Sequence, residues 1–208
     1  HSSSVASFSA DMTLAAKDKA IDIICGKQIT TVIGTGKVLD RFQVFPTELQ
    51  KAITDYTSNG GNVLISGANI GTDVWDEIYP VKKDSAYRAT TKAFIEKTLG
   101  YKWLTNYASR SATVCPKGNE MLSLEAKEIT FQKDRNPVIY NVETPDGIVP
   151  SCDKAKSFLI YSDTNISAGT CFEGNGYRTV CLGFPIEVIK DEKCTESLIK
   201  SIMTYLNK

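Results

Sequence analysis

Between Gly60 and Asp73 the chain reads GGNVLISGANIGTD. A short apolar run enters a glycine-rich turn, and a helix-opening Gly-Thr-Asp leaves it. In α/β hydrolytic enzymes such a turn exposes a nucleophile, in patterns such as G-x-S-x-G or G-x-C-x-G. Here the turn is Gly67-Ala68-Asn69-Ile70-Gly71, and its central position carries Asn69, whose carboxamide is no nucleophile. The one histidine of the chain is His1, so no internal imidazole can serve as a base. The elbow therefore reads as an enzyme scaffold put to another use. Ser66, Asn69, Thr72 and Asp73 would form a polar cluster at the C-terminal edge of a sheet, where open α/β folds bind ligands. A helix opening there would offer free amides to an anion or a sugar oxygen. The local alternative is that Asn69 tolerates a strained elbow backbone while Thr72 or Asp73 caps the helix.

Two further stretches would wall the same cleft. Gly26, Lys27 and Gln28 follow an apolar run, and Lys27 would bring a positive charge to an acidic sugar, unless it is simply a solvated loop residue. Glu187 follows Phe184-Pro185 and could bind a hydroxyl or pair with a lysine, or be an ordinary surface glutamate. Asp73, Asp76 and Glu77 lie within one helical turn, a pattern read as favourable first-turn charge, so neither a metal nor a cofactor is expected. Trp75, Tyr79, Tyr101 and Trp103 could stack on sugar rings, although core packing explains at least two of them.

The elements that must carry these residues follow from periodicity. AIDIIC at 20–25 is a continuous apolar run, as in a strand buried on both faces of a parallel sheet. Residues 29–44 read as a surface excursion. Pro46 opens a helix with Leu49, Ile53 and Tyr56 at helical spacing, and Asn59-Gly60-Gly61 closes it. Asn62 to Ser66 is the next strand, giving strand, helix, strand with the right-handed crossover of a parallel sheet. Helices are expected near Gly71–Asp73, over 85–99 and over 194–206, the last with Leu198, Ile202 and Leu206 on one face. Residues 101–149 alternate in short segments broken by Gly, Pro, Asn and Asp, an antiparallel texture. Strands are also expected at 158–161 and as a hairpin of 168–172 with 177–182 around EGNG.

The length of 208 residues suits one domain, with 42% hydrophobic and 23% charged residues. Residues 1–12 read as a linker or the edge of a longer protein, and 13–208 as one α/β domain with a β-rich insertion or extension over 101–175. Lysine plus arginine and aspartate plus glutamate each number 24, so no net charge draws the chain to nucleic acid. No apolar run reaches the roughly 18–20 residues of a membrane span, so no membrane insertion is expected. Six cysteines show no C-x-x-C pair, which with the missing internal histidine argues against zinc. Cys25 and Cys181 lie in apolar runs as buried thiols, while Cys115 and Cys152 flank a β-rich segment and could pair in an exported protein.

IDIICGKQ, NVLISGANIG and TVCLGFPIEV together resemble three segments of class I glutamine amidotransferases: an oxyanion-hole strand and loop, the nucleophile elbow, and the strand before the catalytic His-Pro-Glu. On that resemblance the nucleophile falls on Asn69 and the histidine near Phe184, so both partners of thioester chemistry are missing. GKQITTVIG, FPTELQKAI, GGNVLISGANIGTDVWD, LGYKWLTNYASR and GYRTVCLGFPIEVI more closely resemble the amidotransferase-like domain of large secreted bacterial proteins described as xanthan lyases or fibronectin type III-containing proteins. The resemblance covers most of residues 20–206. It implies export (periplasmic, cell-surface or extracellular), a link to extracellular polysaccharide, and a domain that begins upstream of residue 1. It also implies an α/β fold, flavodoxin-like or amidotransferase-like: a three-layer sandwich on a mainly parallel sheet with an antiparallel β extension. The function expected is a non-catalytic module that binds carbohydrate or docks neighbouring domains. The alternative is a carbohydrate-active hydrolase or lyase using carboxylate or tyrosine residues in the elbow cleft.

Overall fold

The computed structural model describes residues 19–34, 40–79, 82 and 84–208; the stretch read as a linker, 1–12, lies outside the described residues. Elements are numbered in chain order. AIDIICG forms β1 (Ala20–Gly26), followed by a small antiparallel ribbon of β2 (Thr31–Ile33) and β3 (Asp40–Phe42). Helix α1 (Thr47–Ser58) starts after Pro46 and buries Leu49, Ile53 and Tyr56, the residues at helical spacing. β4 (Asn62–Gly67) leads through the elbow into α2 (Thr72–Trp75), a single turn. α3 (Ser85–Phe94) is capped by the Asp84 carboxylate and continues as a π-helical turn, Ile95–Leu99.

The rest is mainly strand: β5 (Tyr101–Thr105), β6 (Thr113–Pro116), β7 (Ile129–Thr130), β8 (Gly147–Pro150), β9 (Ala155–Tyr161), β10 (Ser167–Glu173) and β11 (Arg178–Leu182). A 3-10 turn at Ile186–Val188 and helix α4 (Glu192–Leu206), capped by Asp191, close the fold.

The fold expected from the sequence is corrected here. Seven strands form one mixed sheet in the order β1-β4-β11-β10-β9-β6-β7, while β5 and β8 pair separately. Only β1–β4 and β4–β11 are parallel; the other four pairings of the sheet are antiparallel. The molecule is thus mostly β on a mixed sheet and not a helix-rich sandwich on a mainly parallel one. The reason lies in β10. It is buried along six of its seven residues and pairs on both edges, with β11 and with β9, so the antiparallel strands continue the sheet from its middle.

Side-chain alternation divides the core. Val63, Ile65 and Cys181 face α1 and the α3 side with Leu49, Ile53 and Ile95, and Ile21, Ile23 and Cys25 pack beside them. Leu64, Val180 and Leu182 face the other way, against Leu198 and Ile202 of α4. β1 is not buried on both faces as its apolar run suggests. Among the described residues it pairs with β4 alone, and Asp22 and Ile24 stay exposed on the α4 face. No helix among the described residues is long and apolar enough to cross a membrane.

Candidate functional site

The cluster read from the sequence is divided by the structure between a closed staple and an open rim. The staple is built on the elbow. Amides at the start of a helix have no intrahelical acceptor and must find one. The amides of Gly71 (2.6 Å) and Thr72 (2.9 Å) donate to Oδ2 of Asp146, and the Thr72 hydroxyl and the Trp103 indole N–H (3.1 Å) donate to Oδ1. Asp146, in the turn before β8, is completely buried. Burial pushes its carboxyl up to about 7, against the pull of these four donors.

The Asp146 backbone is fixed as tightly. Its N–H donates to the carbonyl of Gly183, and its carbonyl accepts from the buried Tyr161 hydroxyl, both at 2.8 Å. Gly183 has to be glycine here, since a Cβ would lie 2.0 Å from the Asp146 carbonyl oxygen. The elbow amides expected to meet an anion or a sugar oxygen are therefore taken by a carboxylate of the chain itself.

Asp73 is also internal. It is fully buried and accepts from the amides of Thr30 (2.6 Å) and Val44 (3.0 Å), tying the chain on either side of the β2–β3 ribbon to α2. Ser66 is buried on β4, its hydroxyl without a hydrogen-bond partner.

The rim gathers the other candidates at the C-terminal ends of β1, β4 and β11. Asn69 is half-buried, and its Nδ2 donates to the Lys27 carbonyl at 3.1 Å. Lys27 reaches Glu143 at 2.7 Å, which holds the Glu143 carboxyl below its usual range. Gln28 turns away and donates to the carbonyls of Ile29 and Phe42. The Tyr140 hydroxyl donates to Oε1 of Glu187, while Oε2 is buried with no partner. Gly26 takes a left-handed backbone (φ 53°) beneath this pair, where a Cβ would come within 3.2 Å of the Tyr140 oxygen. Loss of solvation, and then Glu187, push Asp22 on β1 up to about 6. Burial and the same carboxylates push the Cys25 thiol up to about 12.

The structure thus brings Gly26, Lys27, Asn69 and Glu187 together and sends Ser66, Thr72 and Asp73 inward. Sequence reading missed Asp146, Tyr140, Glu143 and Asp22. Asp146 lies in Pro145-Asp146-Gly147, a turn signal that says nothing of burial.

The other candidates are engaged elsewhere. Asp76 accepts from the amides of Ile78 and Tyr79, and Glu77 pairs with Arg88 at 3.0 Å. Tyr101 is fully buried with its hydroxyl on the Ile70 carbonyl, which leaves it no face for a sugar ring; Lys92 lies over Trp75, and Tyr79 is exposed. All six cysteines are free thiols in the structure. Phe184, near the position implied for a catalytic histidine, is fully buried and stacks on Phe131 with ring centroids 5.0 Å apart.

No family model and no curated protein matches the chain. Among solved structures it is similar to the mmIFT52 N-terminal domain, with 11% identity over 79% of this chain and 72% of that one, and a TM-score of 0.44.

Proposed function

We propose that this chain is a non-catalytic module of an exported, polysaccharide-associated protein, one that binds carbohydrate or docks neighbouring domains. The observation that carries the non-catalytic part is Asp146 on the Gly71 and Thr72 amides. A helix-opening turn binds an anion through amides left free, and at this elbow the Gly71 and Thr72 amides are already spent on the chain's own carboxylate. Asn69 is occupied with the Lys27 carbonyl, Phe184 belongs to the core, and Cys25 is held as a thiol by its raised pKa. Export and the polysaccharide link rest on the resemblance of GGNVLISGANIGTDVWD and its companion phrases to the secreted proteins named above.

The test is a thermal-shift titration of the full chain with xanthan, other acidic polysaccharides, their oligosaccharides and peptidoglycan fragments. A ligand of the folded state raises the melting temperature with concentration. A saturable rise that Asn69→Ala abolishes supports carbohydrate binding at the rim; a flat screen leaves domain docking as the role. Glutamine hydrolysis that survives purification would overturn the non-catalytic reading.

One observation favours a second reading, a hydrolase or lyase acting at the rim. Asp22, pushed up to about 6, stands by Glu187, and a carboxyl that keeps its proton into mildly acidic solution can serve as a general acid. Tyr140 would stay protonated there, holding Glu187 by its hydrogen bond, because burial and Glu187 raise its phenol above the usual range. Turnover of the same polysaccharides, lost in Glu187→Gln, would establish it.

A further inference from the structure

The connection between β5 and β6 holds a tyrosine in a backbone that glycine would suit. Tyr107 takes a left-handed conformation (φ 61°), as does Ala112 at the end of the same connection (φ 54°). For a bulky residue that conformation is strained, and it persists only where the surroundings fix it. Here they do. The Ala108 N–H donates to the Pro145 carbonyl (2.9 Å), and the Ala108 carbonyl accepts from the Thr164 hydroxyl (2.7 Å). The Asp163 carboxylate gathers the Ser109 hydroxyl (2.8 Å) and the amides of Arg110 (2.7 Å) and Ser111 (3.0 Å). This frame does not bury the ring it strains, since Tyr107 is 49% exposed. The Arg110 guanidinium lies over the ring, 5.9 Å from its centroid, and pairs with no carboxylate among the described residues. The connection also stands at the rim end of the sheet. β9 and β11 are both antiparallel to β10 and so run the same way, which puts the turn after Tyr161 at the same end as Leu182. Pro145, on which Ala108 rests, is close in sequence to Glu143, the partner of Lys27. From Glu143 to Pro145 the chain spans at most about 7 Å.

We propose that Tyr107 is a stacking residue of the rim, whose ring packs against the C–H face of one sugar unit in an acidic saccharide that also meets Lys27. The assignment rests on the carbohydrate reading given above and adds a residue to that site. A planar aromatic face backed by a guanidinium and flanked by the polar Asn106, Ser109 and Ser111 suits a pyranose ring, which offers C–H groups on its face and hydroxyls at its edge. The frame around Asp163 fixes the backbone that carries the ring before any ligand arrives, so little freedom is left to lose on binding. Arg110 is a positioning residue here: it covers one face of the ring and leaves the other to the ligand. The strain at Tyr107 has a use on this account, since the left-handed turn brings out an aromatic side chain that the core does not take up.

The test is isothermal titration of the full chain with xanthan oligosaccharides, comparing the parent with Tyr107→Gly, Tyr107→Phe and Asn69→Ala. Tyr107→Gly should bind about tenfold more weakly, the worth of one aromatic contact. Its melting temperature should stay within about 2 °C of the parent or rise, because glycine takes the left-handed backbone freely. Tyr107→Phe keeps the aromatic face and should bind within about threefold of the parent. Unchanged affinity in Tyr107→Gly, with binding still lost in Asn69→Ala, overturns the assignment of Tyr107 and leaves carbohydrate binding at the rim standing. Absence of binding by the parent overturns both and leaves domain docking as the role. Should Tyr107→Gly not fold, Tyr107→Asn, which also tolerates the left-handed backbone, is read in the same way.

Discussion

Asp146 and Glu187 are carboxylates close to the same end of the sheet, and they are treated in opposite ways. Asp146 is fully buried and holds four donors; Glu187 is half-buried, holds one phenol and leaves an oxygen unsatisfied. The saturated carboxylate has no capacity left for a ligand, so its role is to bind the β5–β8 region to the elbow. The unsaturated one contributes little to the fold, and its second oxygen, buried without a partner and with Asp22 nearby, is an acceptor that the chain leaves unused. In this protein the buried polar cluster is architecture, and the candidate function lies at the partly wet rim.

The sharpest way to break that contrast is to remove each carboxylate in turn. Asp146→Ala strands the Gly71 and Thr72 amides in a dry site, at about 1–3 kcal/mol for each donor left unsatisfied, while the Trp103 N–H keeps the Thr72 hydroxyl oxygen at 3.1 Å. With partial relaxation the total should be about 3–4 kcal/mol, read by chemical denaturation. Glu187→Ala should change stability by less than about 1 kcal/mol, because the Tyr140 hydroxyl is close enough to solvent to find water. Equal losses would dissolve the distinction between the two regions.

Next in size is Gly183→Ala. The added methyl meets the Asp146 carbonyl, which is backbone and cannot swing aside. A loss of about 2–3 kcal/mol is expected, of the size seen for overpacking. If the contrast holds, Gly183→Ala and Asp146→Ala are strongly non-additive, since both displace the same staple. Gly26→Ala at the rim should cost less: its left-handed backbone disfavours a side chain, but the nearest atom is the end of the movable Tyr140.

Much of this contrast was invisible in the sequence for a physical reason. Leu49, Ile53 and Tyr56, and Leu198, Ile202 and Leu206, declare their buried faces within a single helix, so periodicity suffices. The elbow itself was readable as strand, turn and helix. Which strands adjoin is settled by pairing across long stretches of chain. β10, SAGTCFE, shows neither a strong apolar run nor a clear alternation, yet it lies inside the sheet. Asp146 has the same difficulty: its partners Gly71 and Thr72 lie 75 and 74 residues away, and Pro-Asp-Gly looks alike in an exposed turn and in a buried staple. Ile24 misleads in the opposite sense, because an apolar run cannot say that its strand pairs with β4 alone among the described residues.

Acidity gives a smaller and more selective effect. Asp146 titrates near 7 in the fold and near 3.8 when unfolded. A raised folded pKa means that the native state keeps a proton the unfolded chain has lost. This contribution is whole below about pH 4, declines through the interval to about 7, and is gone above it. The stability advantage of the parent over Asp146→Asn should therefore shrink as pH rises from 4 to 7, by at most about 1.4 kcal/mol per unit, and then level off. Denaturation midpoints for both proteins across pH 4–8 give the curve. Asp163, Glu143 and Asp191, whose carboxyls are lowered, act in the opposite direction in both proteins and cancel in the difference. A flat difference would mean that the four donors outweigh burial and that the staple is ionised throughout.

The smallest effect belongs to Lys27, and it sharpens the comparison by separating binding from stability. Lys27 and Glu143 are 41% and 54% exposed, so their ion pair is solvated and worth less than about 1 kcal/mol. Lys27→Ala should leave the denaturation midpoint nearly unmoved, while the Lys27 carbonyl, which is backbone, still accepts from Asn69. If an acidic saccharide binds at the rim, the same substitution should weaken it about tenfold or more, at the typical worth of one charge-assisted hydrogen bond. Raising salt should weaken the parent more than the variant, since only the parent has a side-chain cation there to screen. An equal salt response in both would place the saccharide elsewhere and leave Lys27 as an ordinary solvated side chain.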